Sequence, residues 1–197
     1  LSHQNQIDFG RRFGELDVHP IAIGMQEHPE IIKVLKPAGE RASFGTSWHS
    51  DNSFFERPSK ASLLYGVVVP PYGGDTLWAS MERAYDALSP NMKRYLEGVT
   101  ALHDGAGAFA KTATNQLPVT EQPVIAQHPV TDRRLLFINP VFTTRICGVP
   151  ADESAAILSY LFHHCEHPNF QVRFHWEPHS IAFWDNRCTH HRALWDY

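Results

Sequence analysis

Three short stretches of this chain carry side chains that could do chemistry together. The first is His49-Ser50-Asp51. In an extended segment, residues i and i+2 point the same way, so an imidazole and a carboxylate converge on one point. One imidazole plus one carboxylate is two-thirds of the 2-His-1-carboxylate arrangement that binds iron(II) and leaves positions open for reactants. Alone, an H-x-D of this kind arises about once by chance in a chain so rich in His and Asp. The second stretch is the tail Trp184-Asp185-Asn186-Arg187-Cys188-Thr189-His190-His191. Adjacent histidines are more often surface residues than ligands. His163-His164 is read that way, as the exposed end of a helix whose dipole favours cations. A distant ligand from the tail is nevertheless expected if a jelly roll brings the last strands beside an early one. The third stretch is Gly73-Gly74-Asp75-Thr76. Its glycines permit a tight turn, and the Thr76 hydroxyl could hydrogen-bond a ligand carboxylate. The bland alternative is a plain turn capped by Asp75.

These residues need elements to hold them. Hydrophobic periodicity predicts a helix over residues 4–16 and a short strand over 31–35, followed by a polar loop over 36–43. Residues 48–55 alternate enough to be a strand. Residues 61–69 read as a central strand apolar on both faces, ending in the turn Pro70-Pro71-Tyr72-Gly73-Gly74. A strand over 75–79 then leads into a helix capped by Ser80. Ser89 as N-cap with Pro90 at N1 starts a second helix. Further strands are expected at 99–103, 124–128, 135–138, 171–176 and 180–184, with the strongest helix at 151–164. Residues 104–122 show no period, and a stretch of that length is expected to be a lid or binding loop. Many short strands with few helices indicate a β sandwich or barrel with helices packed outside.

The composition suits one globular domain. The chain has 197 residues, 43% hydrophobic and 19% charged, with 13 histidines and 14 prolines. Its net charge of −4 gives no basic surface for nucleic acid. No apolar run approaches the ~18 residues of a membrane span. Cys147, Cys165 and Cys188 lack metal or disulfide spacing and read as free thiols in a reducing cytoplasm.

In order along the chain, the motifs resemble those of the TauD/TfdA family of iron(II)- and 2-oxoglutarate-dependent dioxygenases. The matching stretches are Arg12-Phe13-Gly14-Glu15-Leu16 with His19-Pro20, Trp48-His49-Ser50-Asp51 with Phe54, and Gly73-Gly74-Asp75-Thr76-Leu77-Trp78. Ala84-Tyr85-Asp86-Ala87-Leu88-Ser89, Phe142-Thr143-Thr144-Arg145-Ile146 and Trp184-Asp185-Asn186-Arg187 with Thr189 and His191 complete the set. The resemblance implies a mainly β fold with flanking helices, the double-stranded β-helix or jelly roll. It implies His49, Asp51 and His191 as ligands of Fe(II), with His191 preferred to His190 by its spacing from Thr189. It implies that Thr76 binds 2-oxoglutarate, and that His19, Asn52, Phe54 and Phe142 line the substrate pocket. The family's arginine clamp for 2-oxoglutarate falls about eleven residues past the last iron ligand, beyond Tyr197. The sequence given is therefore expected to lack a C-terminal segment, and its opening in mid-pattern at Leu1 fits a trimmed N-terminus as well.

The implied activity is hydroxylation of a small organic anion, with O2 and 2-oxoglutarate consumed and succinate and CO2 released. The expected substrate is a sulfonate, a sulfate ester or a related acid. Ala22 stands where taurine enzymes have tyrosine, Gly45 where they have asparagine, and Asn52 where they have valine. A homo-oligomer in the cytoplasm is expected, with neither nucleic acid nor membrane as partner. Two other classes remain open on the residues: a jelly-roll metal hydrolase or isomerase, and a non-catalytic binding protein using the same His/Asp cluster.

Overall fold

The computed structural model describes residues 1–36, 45–110, 113 and 116–197. The expected polar loop over 36–43 lies outside them except for Lys36. The chain opens with helix α1 (His3–Arg11), capped by the Ser2 side chain, which accepts from the Asn5 amide at 3.1 Å. It buries Ile7. Phe9 and Phe13 meet Phe183 with ring centroids 5.7 and 4.5 Å away.

The strands are β1 (Ala61–Tyr65), β2 (Thr76–Ser80), β3 (Thr100–Asp104), β4 (Val119–Pro123), β5 (Ile125–Gln127), β6 (Arg134–Leu136), β7 (Thr143–Ile146), β8 (Gln171–Phe174), β9 (Ile181–Asp185) and β10 (Thr189–Ala193). Helices α2 (Met81–Asp86) and α3 (Pro90–Leu96) lie between β2 and β3, and α4 (Ala151–Cys165) lies between β7 and β8. Among the described residues the strands form antiparallel sheets ordered β1-β9, β10-β2-β8, β4-β3-β7 and β5-β6. This is the mainly β arrangement with flanking helices that the jelly-roll expectation required. Ser80 and Ser89 cap α2 and α3 as expected, accepting from Arg83 and Met92 amides. The core packs Met81 and Ala84 of α2 and Leu161 of α4 against Leu135, Leu136 and Ile138. Each large side chain fully buried there contributes roughly 1.5–3 kcal/mol. None of the described helices is long and apolar enough to cross a membrane.

Three expectations need correction. The central strand over 61–69 stops at Tyr65 and pairs only with β9 among the described residues. Gly66 turns the chain by bonding Ser180 and His179, and Val67 and Val68 are 64% and 91% exposed. Pro70 and Pro71 follow, and proline has no N–H to continue a ladder. The strand over 31–35 is reduced to a bridge between Ile32 and Gly24. The strand over 48–55 is a single bridge at His49 followed by a turn over 51–54. That turn needs Asn52 in the left-handed region at φ 55°, which asparagine tolerates well.

Candidate metal centre

Register decides which histidine of the tail faces the site. In β10 paired to β2, His191 lies opposite Trp78 and Ala193 opposite Thr76, whereas His190 lies opposite Ala79. Directly opposed residues share a face of the sheet. Thr76, Trp78 and His191 therefore point one way, and His190 and Ala79, 3% and 1% exposed, point into the core. The backbones of His49 and His191 exchange both hydrogen bonds, at 3.1 and 2.7 Å, which locks the two imidazoles side by side with centroids 4.2 Å apart.

Asp51 completes the group. Its Oδ1 lies 3.7 Å from His49 Nε2 and 3.6 Å from His191 Nε2, too long for hydrogen bonds but within reach of one shared ion. The ligand atoms of all three lie within 4.8 Å of one another. His49 Nδ1 donates to the Ser47 carbonyl at 2.8 Å, leaving the Nε2 lone pair aimed at the centre. Burial pushes the His191 imidazole down to about 4; Asp51 opposes this and His49 adds to it, so the ring is neutral near pH 7. His191 Nδ1 is buried with no hydrogen-bond partner among the described residues. Two imidazole nitrogens and one carboxylate converging on one point fit a bound divalent metal ion.

The carboxylate is held from behind. Asp51 Oδ2 accepts from Ser62 Oγ at 2.6 Å, and Ser62 Oγ accepts from Asn186 Nδ2 at 2.8 Å. Asn186 Oδ1 accepts from Trp184 Nε1 at 2.9 Å and from the Asp51 amide at 3.3 Å. The Trp184-Asp185-Asn186 stretch thus orients the ligand loop. Ser62 carries no sequence signal and was missed.

His128, Asp185 and Cys188 form a second group with donor atoms close together. There the carboxylate is already filled. Arg187 Nε donates to Asp185 Oδ1 at 2.9 Å, and His128 Nε2 bonds Oδ2 at 3.2 Å. Burial, with Asp185 and Glu82, pushes the Cys188 thiol up to about 11. This cluster locks the turn before β10.

The remaining candidates surround the His/Asp centre. Thr76 is 7% exposed and accepts from Trp176 Nε1 at 2.9 Å, which leaves its own O–H to donate. Phe54 and Phe142 are 0% and 4% exposed with centroids 5.0 Å apart, and Phe142 stands 6.5 Å from the His49 ring. Phe109 joins them, 5.8 Å from Phe54, 6.3 Å from Phe142 and 5.7 Å from His19. An aromatic wall therefore runs from His19 to His49. Phe109 sits in the 104–122 stretch, where period-based reading finds nothing. Residues 106–110 there form a turn and residues 119–123 are β4; residues 111, 112, 114 and 115 lie outside the described residues. His164, read as exposed, instead bonds the Ala84 carbonyl at 2.8 Å. Asn52 bonds His19 Nε2 at 3.1 Å and Ser59 Oγ at 3.0 Å.

A buried polar group braces this wall. His103 Nδ1 and Asn139 Nδ2 both lie 2.9 Å from Ser53 Oγ, and Asn139 Oδ1 accepts from the Phe142 amide at 2.9 Å. Burial pushes His103 down to about 4 and His190 down to about 3. Both are depressed below the ordinary value of about 6.5, so on acidification the unfolded chain takes up protons first. Their contribution is complete above about pH 6.5 and is lost as pH falls toward the folded values. Each should remove about 2 kcal/mol by pH 5. Thermal melts at pH 7.5 and 5 should show this loss, and His103→Gln should flatten it. An unchanged melting temperature across that range would contradict the burial argument.

The family model described as "Taurine catabolism dioxygenase TauD, TfdA family" matches residues 1–197. An alpha-ketoglutarate-dependent sulfate ester dioxygenase of Pseudomonas putida is 32% identical over 212 residues, covering 100% of this chain and 69% of the relative. The alpha-ketoglutarate-dependent dioxygenase cnsP of Penicillium expansum is 34% identical over 203 residues, covering 94% and 55%. A crystal structure of a taurine dioxygenase from Burkholderia xenovorans superposes with a TM-score of 0.84 at 37% identity, covering 100% of this chain and 66% of that one. The chain thus spans 55% of the cnsP length.

Proposed function

The chain belongs to the TauD/TfdA family, and from that premise we propose that it carries the catalytic centre of an iron(II)- and 2-oxoglutarate-dependent dioxygenase acting on a small organic anion. The observation that carries this reading is the convergence of His49, Asp51 and His191 on one point, on the sheet face shared with Thr76. His49 Nε2, Asp51 Oδ1 and His191 Nε2 would hold iron(II) and leave its other positions to reactants. Bound there, iron(II) would supply O2-dependent oxidative decarboxylation of 2-oxoglutarate, one oxygen atom entering succinate as CO2 leaves and the other hydroxylating an unactivated C–H bond.

The chain's own residues position and shield the reactants. Thr76 donates its hydroxyl proton to a 2-oxoglutarate carboxylate while Trp176 fills its acceptor side. The Ser62-Asn186-Trp184 relay keeps Asp51 Oδ2 occupied so that Oδ1 faces the metal. Phe54, Phe109 and Phe142 exclude water from the carbon being oxidised. His19, at the far end of that wall, offers its N–H to the anionic head.

The substrate we propose is a sulfonate or sulfate ester with a longer apolar tail than taurine. The Pseudomonas putida relative is described as acting on sulfate esters. Ala22 and Gly45 lack the bulk of the tyrosine and asparagine of taurine enzymes, and a Cβ on Gly45 would stand 3.5 Å from His49 Cε1. Each buried methylene could add up to ~0.8 kcal/mol. Across alkylsulfonates and alkyl sulfates of rising length, scored by succinate release, kcat/KM should climb well above that for taurine. Taurine as best substrate, or turnover of neutral compounds only, would defeat this choice of substrate.

A further inference from the structure

We propose that Asn52 is a built-in competitor for the substrate's anionic head at His19. The proposal rests on the reading of His19 as the head-binding residue. His19 Nδ1 accepts from the backbone amides of Ile21 and Ala22 at 3.1 and 2.9 Å. Two donors on one nitrogen place the proton of the neutral ring on Nε2. The Nε2–H therefore donates to Asn52 Oδ1, 3.1 Å away. That N–H fixes which way the Asn52 amide points, and its Nδ2 donates to Ser59 Oγ at 3.0 Å.

The N–H that His19 could give to a ligand is thus engaged by a neutral carbonyl oxygen. A ligand must displace that oxygen to bind. A sulfonate or sulfate can, because a charge-assisted hydrogen bond is roughly twice as strong as a neutral one. A neutral hydroxyl or amide gains nothing by the exchange and is disfavoured. The imidazole does not depend on Asn52 for its orientation, since the two backbone amides already fix it. Removing the Asn52 amide therefore frees the donor and leaves the ring in place.

Glycine separates this role from backbone shape. Asn52 has φ 55°, a conformation glycine adopts without strain. The experiment uses the full-length protein with iron(II), 1-butanesulfonate as the anionic probe and 1-butanol as the neutral one, scored by succinate release. Asn52→Gly should lower the KM for butanesulfonate about 3- to 10-fold, matching loss of one modest hydrogen bond. It should leave the KM for 2-oxoglutarate unchanged. Asn52→Asp places a carboxylate against the same N–H and should raise the butanesulfonate KM at least about 10-fold. Ser59→Ala frees the amide to rotate and should shift KM in the same direction as glycine. It supplies the test should Asn52→Gly fold poorly. An Asn52→Gly protein with unchanged or raised butanesulfonate KM, or with the butanesulfonate and 2-oxoglutarate KM values moved together, overturns the proposal. If the wild-type protein turns over sulfonates normally, that failure touches Asn52 alone. If it converts only neutral compounds, the reading of His19 falls as well.

Discussion

Replacing His49, Asp51 or His191 by alanine is expected to abolish iron-dependent turnover and to leave the purified protein with little bound iron. Each change removes one of three donors that lie within 4.8 Å of one another, and a bidentate remnant cannot hold a labile divalent ion firmly. Asp51→Ala also leaves Ser62 Oγ without its acceptor. His190→Ala should behave differently. His190 points into the core and is 3% exposed, so its loss should lower stability by about 1–3 kcal/mol while the folded fraction still binds iron. Metal analysis beside thermal melts separates the two outcomes. A fully active His191→Ala enzyme would sink the assignment.

The second large effect is expected at Thr76. Thr76→Val should raise the KM for 2-oxoglutarate about 10- to 100-fold, since a hydrogen bond to a carboxylate is worth about 1.5–3 kcal/mol. The KM for the prime substrate should move far less. Valine also strands Trp176 Nε1, which donates to Thr76 Oγ1 and is buried, so the melting temperature should fall. Thr76→Ser keeps the hydroxyl and should restore most of the 2-oxoglutarate affinity. An unchanged 2-oxoglutarate KM in Thr76→Val would reduce Thr76 to a turn residue.

What was readable in the chain follows from how locally each feature is encoded. The helix caps at Ser80 and Ser89 are local, and the structure places them as expected. His191 over His190 followed from motif spacing, and strand register gives the same choice. The geometry behind His49 and Asp51 was misread. Convergence comes from the His49–His191 bridge and a turn through Asn52, a long-range pairing that alternation over 48–55 cannot reveal. Val67 and Val68 misled for a related reason: an apolar run before two prolines looks like buried strand, yet both residues are exposed. Ser62, Phe109 and Trp176 were invisible because their roles depend on partners 11, 33 and 100 residues away, at Asp51, Phe142 and Thr76.

The same separation explains Asn52. Sequence reading placed it on the pocket wall facing substrate. The structure turns its amide oxygen onto His19 Nε2, 33 residues earlier in the chain. A positive φ beside Asp51 and a hydrogen bond to the His19 imidazole are compatible with one residue only after the turn is known.

The central claim is that His49, Asp51 and His191 hold an iron that couples 2-oxoglutarate decarboxylation to oxidation of an organic anion. The most direct measurement is succinate release by the full-length protein with an alkylsulfonate, with iron(II), 2-oxoglutarate and oxygen each omitted in turn. Succinate should appear equimolar with hydroxylated product, and none should form when any one of the three is withheld. Conversion of the sulfonate without 2-oxoglutarate or oxygen would contradict it and place the same His/Asp cluster in a hydrolase.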